Sequence, residues 1–142
     1  MLKAAVLAGG GTDEARYAQR ALADAETESA TVAYVRALAA LILGQDEEAQ
    51  VWSAKMSAGG EAFARAGEAT GGLAAGDSGR FGAALVAIVR DFEQRAEHLT
   101  GVAVADTALV LVEVAARRGM AVAIESPVLP GGPHSDVPRR AL

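Results

Sequence analysis

The chain has 142 residues, 51% of them hydrophobic and only 4% aromatic, which is enough for one domain with its own core and leaves no need for a second. Eighteen acidic residues against thirteen basic ones give a formal charge of -5, which argues against a nucleic-acid partner, because phosphate binding calls for clustered Lys and Arg. Cysteine is absent, so the chain has neither a disulfide framework nor a thiolate zinc site, and it suits a reducing cytoplasm. The apolar content is dominated by Ala, the best helix former and a poor strand former, so an all-α fold is the first expectation.

In chain order, residues 2 to 8 read as the last turns of a first helix, closed by Gly9-Gly10-Gly11. The short apolar segment before those glycines lacks the pattern of a signal peptide. Thr12 or Asp13 is expected to cap a second helix running to about Ala25, with Glu14 in its first turn. A third runs from about Ser29 to Leu43, with Val35, Leu38 and Ile42 on one face, and Gly44 ends it. Gln45-Asp46-Glu47-Glu48 opens a fourth that carries Val51, Trp52 and Met56 up to Gly59-Gly60.

Glu61 to about Leu73 is a further helical segment, rich in Ala and Gly, whose glycines weaken the helix signal. Asp77 and Ser78 start the clearest helix, in which Phe81, Leu85, Ile88, Phe92 and Leu99 form one apolar stripe. Val102 to Arg118 follows, apolar nearly all round and therefore expected to be buried on more than one side, with Arg117-Arg118-Gly119 at a terminus that favours cations. Its apolar stretch, Ala108 to Ala116, is interrupted by Glu113 and falls far short of the roughly 20 residues of a membrane span. A soluble, cytoplasmic protein with no membrane partner is expected. Met120 to Ile124 reads as an extended strap, Pro127 and Pro130 forbid helix, and residues 131–142 form a tail containing Gly and Pro. The domain is therefore taken as residues 1–130.

Three glycine-containing breaks, at Gly10, Gly44 and Gly76, lie 34 and 32 residues apart. A period in that range marks helical hairpins, none of which buries its apolar face until a neighbour stacks on it. The expected architecture is a set of irregular stacked hairpins. Open stack ends leave room for a homodimer that buries one of them.

Few residues carry a chemical signal. Val6-Leu7-Ala8-Gly9-Gly10-Gly11-Thr12 resembles the phosphate-cradling start of sugar-nucleotide transferases, but Asp13-Glu14 follow where a basic residue is needed, and the reading favoured is a helix break. Asp106, Glu113 and Arg117 share one face at spacings of seven and four. With His98 the two carboxylates offer a metal site or an acid and base pair; the plainer reading is a solvent-facing stripe with a Glu113–Arg117 pair. Trp52 is the sole tryptophan, either core or partner anchor, with core favoured. His98, Asp106, Glu113, Arg117 and Trp52 are thus the candidate interaction or polar site. No catalytic residue is assigned, and neither a cofactor nor a metal is called for.

Leu43-Gly44-Gln45-Asp46-Glu47-Glu48-Ala49, together with Gly10 through Ala15-Arg16 and Ala21-Leu22, resembles the turn and second helix of tetratricopeptide repeats. Ala116-Arg117-Arg118-Gly119-Met120 followed by Ser126-Pro127-Val128-Leu129-Pro130 is similar to the ending of helical immunity proteins, largely actinobacterial, that neutralise polymorphic toxins. That resemblance implies a cytoplasmic protein that blocks a toxin domain by binding it, without catalytic residues. The alternatives are a helical-repeat adaptor in a multi-protein or biosynthetic assembly and an enzyme using Asp106, Glu113 and His98.

Overall fold

A computed structural model describes residues 2–25, 29–96 and 106–120, and side chains within these except those of residues 3, 4, 7, 95, 96 and 106. Its described residues form seven α-helices and no strand: α1 Leu2–Leu7, α2 Thr12–Ala21, α3 Ala30–Ile42, α4 Asp46–Lys55, α5 Glu61–Ala75, α6 Ser78–Ala96 and α7 Asp106–Arg117, with a 3-10 turn at Met56–Gly59. The all-α expectation holds. The expected strap and tail, Leu99 and His98 lie outside the described residues.

Helix ends follow local chemistry with two departures. The Ser29 hydroxyl accepts from the Val32 amide at 3.3 Å and starts α3, while Asp77 Oδ1 accepts from the Arg80 amide at 3.0 Å and starts α6. Neither Thr12 nor Asp13 caps α2: the N-cap is Gly11 at φ 121°, a conformation that side-chain-bearing residues rarely adopt, and it makes no side-chain cap. That helix also ends at Ala21, short of Ala25, where the Arg36 Nη1 donates to the Leu22 carbonyl at 2.9 Å. Gly44 and Gly76 end α3 and α5 in left-handed conformations at φ 75° and 71°.

Consecutive helices pack on one another from α2 to α6, and α3 also touches α5. Helix α7 packs mainly on α1 and reaches α5 and α6, so the first and last helices of the described chain meet. The main core is built from Leu2 and Val6 of α1, Leu38 and Leu41 of α3, Leu73 of α5, Phe81, Leu85 and Val89 of α6, and Val110, Leu111 and Val114 of α7. A second cluster, Ala33, Ala37, Trp52, Met56 and Ala66, joins α3, α4 and α5. Tyr34 packs against both.

Of the predicted stripe on α6, Phe81 and Leu85 are buried and Ile88 and Phe92 half-buried, while Val89, outside it, is buried as well. Helix α7 is buried through Ala108, Val110, Leu111, Val114 and Ala115, as an all-round apolar helix should be.

Helix α5, rich in Ala and Gly, carries the longest run of buried residues among the described helices, with Ala66, Gly67, Ala69, Thr70, Gly71, Gly72, Leu73 and Ala74 all buried. Its glycines mark close approaches. A Cβ on Gly67 would lie 2.6 Å from the Ser53 carbonyl oxygen of α4, and one on Gly72 would lie 2.8 Å from the Phe81 backbone nitrogen of α6. Small residues let α5 run between two neighbours at backbone distance, and the packing gained outweighs the roughly 1 kcal/mol of helix propensity lost at each glycine.

Candidate functional site

Arg117 and Arg118, at the end of α7, gather the carboxyl ends of three other helices. Arg117 Nη2 donates to the Val6 carbonyl at 2.9 Å and its Nη1 to the Gly10 carbonyl at 2.7 Å, satisfying acceptors at the end of α1, while its Nε donates to Glu113 Oε2 at 3.0 Å. Arg118 Nη1 donates to the Leu41 carbonyl of α3 at 3.2 Å, and its Nη2 donates to the Leu73 carbonyl of α5 at 3.4 Å. The same Nη2 lies 2.7 Å from Asp46 Oδ1 at the start of α4. Each helix terminus leaves four carbonyls without a partner inside the helix, and each carries partial negative charge, so a guanidinium fork aimed at several of them is well matched.

The Glu113–Arg117 pair expected from sequence is present, and Arg117, itself exposed, also reaches the carbonyls at the end of α1. Arg118 was legible as cationic; its acceptors were not, since they are carbonyl oxygens that every residue has. Asp106 opens α7, its side chain lies outside the described set, and His98 lies outside it too. The structure therefore brings together Glu113 and Arg117 of the candidate residues, and places Trp52 elsewhere.

Trp52 is 6% exposed and sits in the second core cluster. The Arg36 guanidinium lies 4.3 Å from its ring centroid and the Lys55 ammonium 4.7 Å, with the indole N–H donating to Glu48 Oε2 at 2.9 Å. Cations attracted to the ring quadrupole close the apolar body, and the one polar atom is satisfied. Trp52 is core with a polar handle.

Other charges of the stripe helix also pair between elements. Arg80 reaches Glu68 of α5 at 2.5 Å and Asp91 reaches Arg65 of α5 at 3.3 Å, so the α6 flank is bridged to its neighbour. Burial pushes the Tyr34 phenol up to about 12, only partly offset by a hydrogen bond with Thr107 of α7. Among the described residues no group of three His, Asp or Glu lies close enough to hold a metal.

One accessible concave surface of the described residues lies between α4 and α5. A groove of about 310 Å³ is lined by Gln50, Ala54 and Ser57 on one side and by Ala64, Glu68 and Arg80 on the other, with Ser53, Gly67 and Gly71 contributing to its wall. The Ser53 and Thr70 hydroxyls lie 2.6 Å apart behind it and bond to Ala49, Ala66 and Gly67 carbonyls, which ties α4 to α5. A more open hollow of about 450 Å³ follows the acidic start of α4, Asp46 to Glu48. Val51, 52% exposed, is on the same helix, and no described helix is long and apolar enough to cross a membrane.

What the fold and site define is a closed all-α stack with small-residue interhelical contacts and a polar groove. Compared with known proteins, the chain matches no family model, no curated protein and no solved structure.

Proposed function

We propose that the chain is a non-enzymatic protein-binding module that receives a short segment of a partner in the groove between α4 and α5. The observation that carries this is the groove itself: small side chains at Ala54 and Ala64 leave room for a partner's side chains, and Gln50, Ser57, Glu68 and Arg80 supply hydrogen-bonding groups around it. The acidic start of α4, Asp46 to Glu48, lines a separate open hollow on the same helix and favours a basic or neutral partner surface. Arg117 and Trp52, flagged by sequence, are engaged in internal contacts, which supports placing the binding surface on α4 and α5 instead.

The narrower form of the proposal is an immunity protein that blocks a bacterial toxin, resting on the resemblance around Arg117-Arg118-Gly119. The test is affinity purification of tagged wild-type protein and of Ala54→Arg, a variant that fills the groove from an exposed position, from the native host. A stoichiometric protein recovered with the wild type and lost with a folded Ala54→Arg supports the module. Its being a toxin domain supports immunity, and a scaffold component supports the adaptor alternative. Recovery of the bait alone overturns the binding reading, and undiminished recovery by Ala54→Arg overturns the groove.

A further inference from the structure

We propose that α1 and α7 form a latch: one cooperative unit that docks on, and departs from, the stack of α2 to α6 together, with Arg117 holding the two helices to each other and Arg118 holding the pair to the stack. Helix α1 has six residues, far below the length at which an isolated helix persists, so its order depends on what it packs against. That is chiefly α7, and α7 in turn packs more on α1 than on α5 or α6.

The two arginines divide their own polar contacts accordingly, beside the Tyr34–Thr107 hydrogen bond that also ties α7 to α3. Among the described residues the Arg117 side chain bonds within the pair and the turn that closes α1, to the Val6 and Gly10 carbonyls and to Glu113. Among the described residues the Arg118 side chain reaches outside the pair, donating to the Leu41 and Leu73 carbonyls and forming an ion pair with Asp46, so it joins α7 to the ends of α3 and α5 and the start of α4. Hydrogen bonds from a charged donor are stronger than neutral ones, which makes the loss of Arg118 a large change in the docking equilibrium.

The latch shares the main core with α3, α5 and α6, but the stack keeps a second, smaller cluster of its own. The cluster of Ala33, Ala37, Trp52, Met56 and Ala66 contains no residue of α1 or α7, so it stays packed when the latch leaves. Elements that open below the global unfolding free energy do so as contiguous cooperative units, and the α1/α7 pair is such a unit joined through space rather than along the chain.

Residue-resolved native-state amide exchange tests this. In the wild type under low urea, the amides of α7 and those of Gly9 and Gly10, which bond to the Val6 and Ala5 carbonyls, converge on one opening equilibrium that lies below that of α4 and α5. Arg118→Met accelerates exchange at Gly9, Gly10 and throughout α7 by a common factor of about ten to a hundred, while α4 and α5 stay within about twofold and Trp52 fluorescence is unchanged. Arg117→Met splits the pair, with Gly9 and Gly10 accelerating more than α7. Uniform acceleration of all helices in Arg118→Met, or unequal factors for α1 and α7, overturns the latch. Should Arg118→Met not fold, the wild-type urea series decides alone: separate openings for α1 and α7, or one opening shared with α5, refute it.

Discussion

Adding a single methyl group at residue 72 tests whether α5 is built for close approach. In Gly72→Ala the new Cβ would lie 2.8 Å from the Phe81 nitrogen, 3.1 Å from its Cα and 3.2 Å from its Cβ, all shorter than ordinary van der Waals contact. The obstacle is mostly backbone, in the first turn of α6, so no rotamer change relieves it and the two helices must separate by several tenths of an ångström. Overpacking of this kind costs about 1–3 kcal/mol, here toward the upper end, and the helix propensity gained on replacing Gly returns about 1 kcal/mol. The net expectation is a loss of about 1–2 kcal/mol. Gly82→Ala, on α6 with nothing within 4 Å of the added Cβ, gains the propensity alone and stabilises by about 0.5–1 kcal/mol. Urea denaturation followed by far-ultraviolet circular dichroism reads both, and the thermal midpoints move in opposite directions, by roughly 3–4 °C per kcal/mol. If Gly72→Ala stabilises the protein as Gly82→Ala does, the close packing of α5 on α6 is not what requires glycine there.

Three further outcomes follow from the same structure. Phe81→Ala removes a fully buried ring and should cost about 3–5 kcal/mol, whereas Phe92→Ala, half-buried, should cost distinctly less; equal losses in denaturant titrations contradict the burial pattern of α6. Thr70→Val keeps the shape and deletes the hydroxyl that meets Ser53 Oγ at 2.6 Å, so stability should fall by about 1 kcal/mol, and no change in the unfolding midpoint would show that this buried link is dispensable. Tyr34 has its folded pKa raised from 10.0 to about 12, so its contribution is complete below pH 10 and is lost as pH rises through 12, because the unfolded chain ionises first. Stability should therefore fall more steeply from pH 10 to 12 in the wild type than in Tyr34→Phe, by up to about 1.4 kcal/mol per unit; parallel curves from urea titrations at stepped pH would contradict the burial of the phenol.

The sequence by itself determined where helices break and which class of fold results. Ala-rich segments, Gly44 and Gly76 and the acidic opening at Asp46 to Glu48 act through φ/ψ preference and helix-end charge, which are local and readable residue by residue. The Glu113–Arg117 pair was legible for the same reason, since a spacing of four on a helix makes neighbours. Tertiary structure decided the rest. Helix α5, whose glycines weaken its helix signal in sequence, carries a long buried run, because a glycine's value there lies in the Ser53 and Phe81 backbones that approach it, and no local pattern encodes those. The acceptors of Arg117 and Arg118 are main-chain carbonyls of Val6, Gly10, Leu41 and Leu73, identical in every residue and therefore silent in sequence until the fold brings four helix ends together.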